Sequence, residues 1–225
     1  MTSPRAVIIS GAGRYADPWH PFEQTSAALA RLLAENGVTA HIHPSDAGDV
    51  DLAGVDLLVV NAGGGSTTDD DAAASDPVAL RRSVLDFTAA GGPTLVVHTG
   101  SNTFYESARW SELLGGAWVT GVSMHPPLGE DVVQVVDADH PISTGLSELR
   151  IRDERYSFLR VAPTARVLIT HRHDDAEHAL VWVHTHEGVR VVYDALGHDE
   201  AAYAGADRRE LLRREVAWLL DRTTG

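Results

Sequence analysis

Gly91-Gly92-Pro93-Thr94-Leu95-Val96-Val97-His98-Thr99-Gly100-Ser101 is the stretch that decides the fold. The glycine pair stops a helix. Thr94 to His98 is then a short, β-branched apolar run that ends in small and polar residues. A run of this kind, apolar at successive positions, suits a strand covered on both faces. Three further runs upstream read as strands: Arg5 to Ser10, Val38 to His43 and Asp56 to Asn61. Between them the spacing predicts a helix from about Phe22 to Asn36, stopped by Gly37 as a left-handed cap. A second helix is predicted to open at Asp76-Pro77, with Asp as N-cap and Pro at the first helical position, and to run to about Ala90. This β-α-β-β-α-β order implies a parallel sheet with helices on both faces.

In such sheets ligands bind beyond the carboxyl ends of the strands. Three predicted strands end in small or polar residues there: Ser10-Gly11-Ala12-Gly13, Asn61-Ala62-Gly63 and His98-Thr99-Gly100-Ser101. Together they predict one cleft, with Arg14 and Asn61 as candidate substrate contacts. Gly11-Ala12-Gly13 resembles a shortened dinucleotide loop. Its third glycine is missing, and His43-Pro44 stands where an acidic residue would end the second strand. This argues against NAD and for glycines that let a ligand approach closely.

The second half reads differently. Trp118–Ser123, Val132–Val136, Arg166–His171, Leu180–Thr185 and Val189–Ala195 are strand-like, and Glu187-Gly188 reads as a hairpin turn. A closing helix is expected from about Asp207 to Asp221, burying Leu212, Val216, Leu219 and Leu220. Asp69-Asp70-Asp71 with Ala72 to Ala74 reads as a mobile acidic loop. With no repeat and no linker, the 225 residues are read as a single domain, 1–225.

Composition narrows the function. Lys plus Arg is 18 against 32 Asp plus Glu, a formal charge of −14. Such a chain repels phosphate backbones, so nucleic acid is excluded as the expected partner. Cysteine is absent, which removes disulfides, thiolate metal sites and a Cys nucleophile. The opening MTSPRAVIIS has no signal-peptide pattern, and no apolar stretch reaches membrane-spanning length. A soluble, cytoplasmic protein without membrane association is the expectation.

Polar chemistry therefore falls to histidine, carboxylates and hydroxyls. The chain has 12 histidines. The pairs His41/His43, His171/His173 and His184/His186 have the spacing that puts two rings on one face of a strand. Their places near strand ends make exposed, structural roles the expectation for all three. His20, His98, His125 and His198 sit instead at loop and strand-end signals, and the topology brings His98 and His198 to the same sheet edge. Glu154 and Tyr156, in Arg152-Asp153-Glu154-Arg155-Tyr156, are read either as part of a solvated charged strand or turn or as a carboxylate and a phenol facing the cleft.

These residues bring a family resemblance into view. Gly11–Phe22 (GAGRYADPWHPF), Asp56–Gly64 (DLLVVNAGG), Gly91–Phe104 (GGPTLVVHTGSNTF), Trp110–Pro127, His140–Leu146 (HPISTGL), Asp153–Leu159 (DERYSFL) and Arg190–Tyr203 (RVVYDALGHDEAAY) resemble the ThuA-like, or trehalose-utilisation, branch of the class I glutamine amidotransferase-like superfamily. The resemblance implies a flavodoxin-like three-layer α/β/α sandwich with a mostly parallel central sheet and extra strands in the second half. True amidotransferases carry a Cys nucleophile on a sharp strand-to-helix elbow, with a His-x-Glu pair later. Here His98 stands at the Cys position and the later pair reads His198-Asp199-Glu200. Imidazole is a poor substitute for a thiolate, so glutaminase activity is not expected. Thr99 or Ser101 with His198 as base is a further candidate arrangement.

The resemblance links the chain to trehalose, related disaccharides and their 3-keto derivatives. His98, His198 and Glu154 are the candidate catalytic groups, acting as an acid–base set or as ligands to a divalent metal such as Zn²⁺. His20, His125, Tyr156, Trp19, Arg14 and Asn61 are the candidate substrate contacts. Trp19, Tyr15, Phe104 and Tyr156 could offer flat faces for a sugar, whereas Trp182 and Trp218 read as core. Two functions stay open: an enzyme acting on a small-molecule sugar, or a non-catalytic module binding a sugar or a protein. Homo-oligomers are common in the superfamily, so self-association is expected by resemblance.

Overall fold

The computed structural model describes residues 3–64 and 77–221. Parallel strands open the chain: β1 (Arg5–Ser10), β2 (Thr39–Pro44), β3 (Leu57–Asn61) and β4 (Thr94–Val97). Helices α1 (Phe22–Glu35), α2 (Pro77–Ala89) and α3 (Ala108–Leu114) alternate with them. The antiparallel half follows: β5 (Gly116–Ala117), β6 (Gly129–Val135), β7 (Glu148–Asp153), β8 (Arg160–Val161), β9 (Arg166–His173) and β10 (Ala176–His186). Strand β11 (Val189–Asp194) returns to the parallel core, and α4 (Ala206–Leu219) closes the fold. The main sheet has nine strands in the order β2-β1-β3-β4-β11-β10-β9-β6-β7, with β5 and β8 paired separately.

The parallel pairings join β2, β1, β3, β4 and β11; from β11 to β7 every pairing is antiparallel. All residues of β3 and β4 are buried. Since neighbours along a strand point to opposite faces, both faces of the sheet are covered. Helices α1 and α4 touch each other and share one face. Asp194 points toward α4, where it meets Arg208. Its neighbour Tyr193 points the other way, against Trp182, whose indole N–H donates to Leu114 O in α3. Trp182, Tyr193 and Trp110 are fully buried. Aromatic side chains of this size each remove roughly 150–250 Å² from water, about 4–6 kcal/mol of hydrophobic stabilisation before entropy is counted.

Local signals account for most element boundaries. Helix α1 buries Phe22, Ala28, Leu29, Leu32 and Leu33 along one face. It ends in the left-handed cap expected at Gly37, with φ +71°. Gly37 N–H donates to Ala34 O and Val38 N–H to Leu33 O, the pair of bonds that satisfies the last carbonyls of a helix. Helix α2 begins at Pro77, but its expected cap Asp76 and the acidic loop at 69–74 lie outside the described residues.

Some expectations are corrected. Trp118–Ser123 is not a strand: Val119 N–H donates to Ser123 Oγ and Ser123 N–H to Val119 O, a closed turn that leaves no ladder to join. Arg152-Asp153 belongs to a strand, one of the two forms expected of the charged stretch, but not a wholly solvated one: in β7 Leu149, Ile151 and Asp153 face inward and Glu148, Arg150 and Arg152 outward. His171 and His184 are buried rather than exposed. Each is held by polar partners from distant elements: His171 by Tyr156 O and Ser157 Oγ, His184 by Leu113 O and Thr164 Oγ1. Gly11 has no room for a ligand. A Cβ there would stand 2.6 Å from Tyr15 O and 2.7 Å from the Phe22 ring, so the missing side chain admits the chain's own packing.

Candidate active site

A cavity of about 640 Å³ opens at the carboxyl ends of the parallel strands, lined by Asp17, Trp19, His20, Gly64, Thr99, Asn102, Trp118, His125, Glu154, Tyr156 and His198. Four segments supply its polar floor: the loop after β1, the elbow after β4, the end of β7 and the loop after β11.

His98 is the first residue past β4, and its backbone is left-handed, φ +46°. That conformation is uncommon for a residue with a Cβ and marks a sharp elbow. Contacts from β11 hold it there. Tyr193 Oη donates to His98 O at 2.8 Å, and His98 Nδ1 donates to Ala195 O at 2.7 Å. With its proton on Nδ1, the ring presents Nε2 as an acceptor, 3.1 Å from the Tyr156 hydroxyl. Tyr156 also stacks on the imidazole at 4.3 Å between centroids. Burial drives the His98 pKa down to about 4, against the pull of Glu154, and keeps the ring neutral. Burial likewise pushes the Tyr156 phenol well above its usual range.

Glu154 sits among three imidazoles. Its Oε2 is 3.2 Å from His198 Nδ1 and 3.6 Å from His98 Nε2, and its Oε1 is 3.6 Å from His125 Nδ1. Burial alone would raise its pKa, but contacts with His198 and His98 outweigh it and hold the carboxyl well below the usual range. The same carboxylate raises the pKa of His198. Two carboxyl-bearing neighbours that the sequence reading missed complete the arrangement. Asp17 accepts from His20 Nδ1 at 2.7 Å and from the backbone N–H groups of Trp19 and His20. Burial raises its pKa, but the bond to His20 wins and lowers it. Asp153 accepts backbone N–H bonds from Glu154, Gly197 and His198. Both had a local signal. Asp17 lies three residues before His20, and Asp153 occupies an inward position in the alternating Glu148–Asp153 run.

The three rings of His20, His98 and His198 stand 4.9–5.6 Å apart, centroid to centroid, all edge to face. One donor atom from each, with one oxygen of Glu154, lies within 4.8 Å of all the others. His20, read from sequence as a substrate contact, thus joins the set His98, His198 and Glu154. Trp19 is 73% exposed at the rim, and Trp118 packs edge-on against Tyr156. His125 borders the cavity as expected.

Arg14 and Asn61 are not among the lining residues. Arg14 faces Tyr105 and Glu106, and Asn61 is buried with its amide donating to Thr25 and Ser26 hydroxyls. Tyr15 and Phe104 are also withdrawn, fully buried and packed on each other, with Phe104 against Trp110. The hydroxyls of Thr99 and Ser101 are engaged elsewhere, by Ala62 O and Tyr193 Oη. Among the described residues no helix is long and apolar enough to cross a membrane.

Comparison with solved structures places this architecture. A ThuA-like protein from Parabacteroides merdae superposes with a TM-score of 0.81 at 18% identity, covering 100% of this chain and 92% of that one. A ThuA-like protein from Bacteroides uniformis gives a TM-score of 0.72 at 17% identity over 100% and 95% of the two chains. A glutamine amidotransferase from Thermotoga maritima matches at 0.60 and 11% identity over 97% and 99%. These likenesses show the flavodoxin-like, class I glutamine amidotransferase-like fold. None of the curated proteins compared matches the chain. The family model described as trehalose utilisation, ThuA, matches residues 5–219, and the chain belongs to that ThuA family.

Proposed function

We propose that this protein acts on a sugar in the cleft, with a 3-keto disaccharide or related keto-glycoside as the substrate class and acid–base or metal-assisted chemistry at His98, Glu154 and His198. The observation that carries the reading is the convergence of those three side chains, with Oε2 of Glu154 3.2 and 3.6 Å from the two imidazoles: Glu154 and His198 line a cavity edged by Trp19 and Trp118, and His98 is buried directly behind them. Indole faces suit the apolar faces of pyranose rings. Asn102 and His125 offer hydrogen bonds to hydroxyl groups.

A keto group acidifies the adjacent C–H bond. His98, neutral with Nε2 free of its own proton, is placed to accept that proton. His198, whose pKa the ionised Glu154 raises, is placed to act as the acid and give a proton to the departing glycosidic oxygen. The C–H and C–O bonds break, a carbon–carbon double bond forms, and one proton moves from carbon to His98 while another leaves His198. In the metal-assisted alternative, His98, His198 and Glu154 would hold a divalent ion that polarises the keto oxygen, and His98 would then serve as a ligand in place of the base.

The test follows conversion of a 3-keto disaccharide by product analysis and by the absorbance of the conjugated enone. Wild-type turnover that disappears in His198→Ala, with the circular dichroism spectrum kept, is the expected result. Calorimetric binding of the same sugars without any turnover would replace the enzyme reading with that of a sugar-binding module.

A further inference from the structure

At the centre of the cleft three imidazole nitrogens and one carboxylate face one another. Asp17 fixes the proton of His20 on Nδ1, at 2.7 and 2.9 Å from its two carboxylate oxygens. His20 Nε2 is therefore a bare lone pair, and it is buried with no hydrogen-bond partner among the described residues. Ala195 O fixes the proton of His98 on Nδ1 in the same way, leaving the lone pair of Nε2 turned inward, where the Tyr156 hydroxyl stands 3.1 Å away. His198 Nδ1 is the third inward nitrogen, buried and without a hydrogen-bond partner among the described residues, with Glu154 Oε2 3.2 Å away; to ligate an ion it would give up the proton that Glu154 otherwise favours. Into this group of nitrogens comes a carboxylate. Lone pairs and an anion gathered out of water repel one another unless a proton or a metal cation sits among them.

We infer that His20 Nε2, His98 Nε2, His198 Nδ1 and Glu154 form a binding site for one divalent transition ion of the Zn²⁺ class, with Asp17 and the Ala195 carbonyl orienting two of its imidazoles. Three imidazoles and one carboxylate are a donor set such ions favour, whereas Mg²⁺ and Ca²⁺ take oxygen ligands. The spacing is close to what is required. Ligand atoms bonded to Zn²⁺ at about 2.0–2.1 Å stand about 3.3 Å from one another. Glu154 Oε2 is already 3.2 and 3.6 Å from two of the nitrogens, and all four donor atoms lie within 4.8 Å. Metal-bound histidines commonly give their second N–H to a carboxylate or a main-chain carbonyl, which fixes tautomer and ring angle. Both forms of that support are present here. The cavity continues past the cluster to Trp19, Asn102 and Trp118, so a substrate oxygen can reach the ion from the open side. The site deepens the proposal of metal-assisted sugar chemistry and rests on it for the ion's catalytic role; the binding itself rests on the donor geometry.

The test uses untagged full-length protein stripped with a chelator, then given Zn²⁺ alone, or Co²⁺ as a spectroscopic probe. One equivalent of Zn²⁺ by elemental mass spectrometry and calorimetry, with the visible bands of low-coordinate, nitrogen-ligated Co²⁺, is expected. His20→Ala and His198→Ala should each weaken Zn²⁺ binding by at least about 100-fold, and Asp17→Asn by about 10- to 100-fold, with unchanged circular dichroism. The pair His41/His43, on the edge strand β2 away from the cleft, serves as the control for adventitious uptake: His41→Ala/His43→Ala should bind as wild type does. Uptake that survives in a His20→Ala/His198→Ala double variant, or that vanishes in the His41/His43 variant, would overturn the site. So would full keto-sugar turnover by stripped protein in excess chelator, which would leave the sugar reading standing. Stoichiometric Zn²⁺ lost in the cleft variants, without turnover of any keto-sugar, would keep the site and sink the sugar chemistry.

Discussion

The carboxylate of Asp153 accepts the backbone N–H of His198 at 3.1 Å, across a gap of 45 residues in the chain. It also accepts from Gly197 N at 2.7 Å and from Glu154 N at 2.9 Å. One buried side chain thus joins the end of β7 to the loop after β11 and sets the distance between Glu154 and His198. Burial pushes the pKa of Asp153 up to about 7, against three N–H donors that favour the ionised form.

Asp153→Asn should therefore act through position rather than through contact with substrate. The amide keeps one acceptor oxygen and turns an NH₂ group toward backbone donors. A loss of about 1–3 kcal/mol in urea unfolding is expected, as for one unsatisfied buried group. Keto-sugar turnover should fall more than binding does, because the acid and its partner lose register. Unchanged stability in the variant would contradict the bridging role.

Burial also pulls the pKa of His140 from 6.5 to about 4, helped by the nearby Arg166 charge. The unfolded chain then takes up a proton between about pH 6.5 and pH 4 that the folded chain refuses. Stability rises with pH through that window and falls on acidification, by at most about 1.4 kcal/mol per pH unit from this group. His140 Nδ1 accepts from Ile142 N–H, and its ring packs on Trp218. His140→Asn should lower stability at pH 7.5 yet make it less steep between pH 6.5 and pH 5, compared by denaturant unfolding with wild type. An identical slope in both proteins would refute the assignment.

Asp194, Arg208 and Glu215 form a fully buried charged group between β11 and α4. Arg208 reaches Asp194 at 2.7 Å. One guanidinium cannot neutralise two buried carboxylates, and burial with the Asp194 charge raises the pKa of Glu215 far enough to keep it protonated. Glu215→Gln, which resembles the protonated acid, should be nearly neutral in stability. Arg208→Met should cost about 3–5 kcal/mol, because it strands the Asp194 charge. Thermal unfolding of the two variants separates these cases, and a large loss in Glu215→Gln would count against the protonated form.

Trp19 makes no core contact that the fold needs, being 73% exposed at the cavity rim. Under the proposed sugar chemistry, Trp19→Ala should raise KM about 10-fold with kcat little changed, the signature of lost uniform binding. Thermal stability should stay within about 0.5 kcal/mol of wild type. A kcat loss without a KM change would place Trp19 in the chemical step instead.

Much of this was legible from sequence. The buried strands announced themselves through continuous β-branched runs at Arg5–Ser10, Asp56–Asn61 and Thr94–His98, and Gly37 marked the end of α1. His198, Glu154, His125 and Trp19 were singled out and do line one cavity, and His98, also singled out, lies buried next to Glu154 and His198 rather than in its wall. The failures share a cause. Trp118–Ser123 looked like a strand because its composition is strand-like, but a serine hydroxyl closed it into a turn. His171 and His184 looked exposed because histidine near a strand end usually is, but partners 14–71 residues away made burial tolerable. Arg14 and Asn61 sit beside strand ends that do form the cleft, yet their side chains turn to nearer partners.

What the amino-acid sequence determined alone was periodic or local: strand and helix type, glycine stops, the absence of a thiol and the acidic charge. These depend on a residue and its neighbours within a few positions. What only the tertiary structure decided was direction. His20 needed Asp17 to aim it, His98 needed an oxygen 97 residues away to choose its tautomer, and Glu154 needed the Asp153 bridge to face His198. A side chain's orientation depends on which distant groups satisfy its polar atoms once water is excluded, and no local pattern encodes that choice.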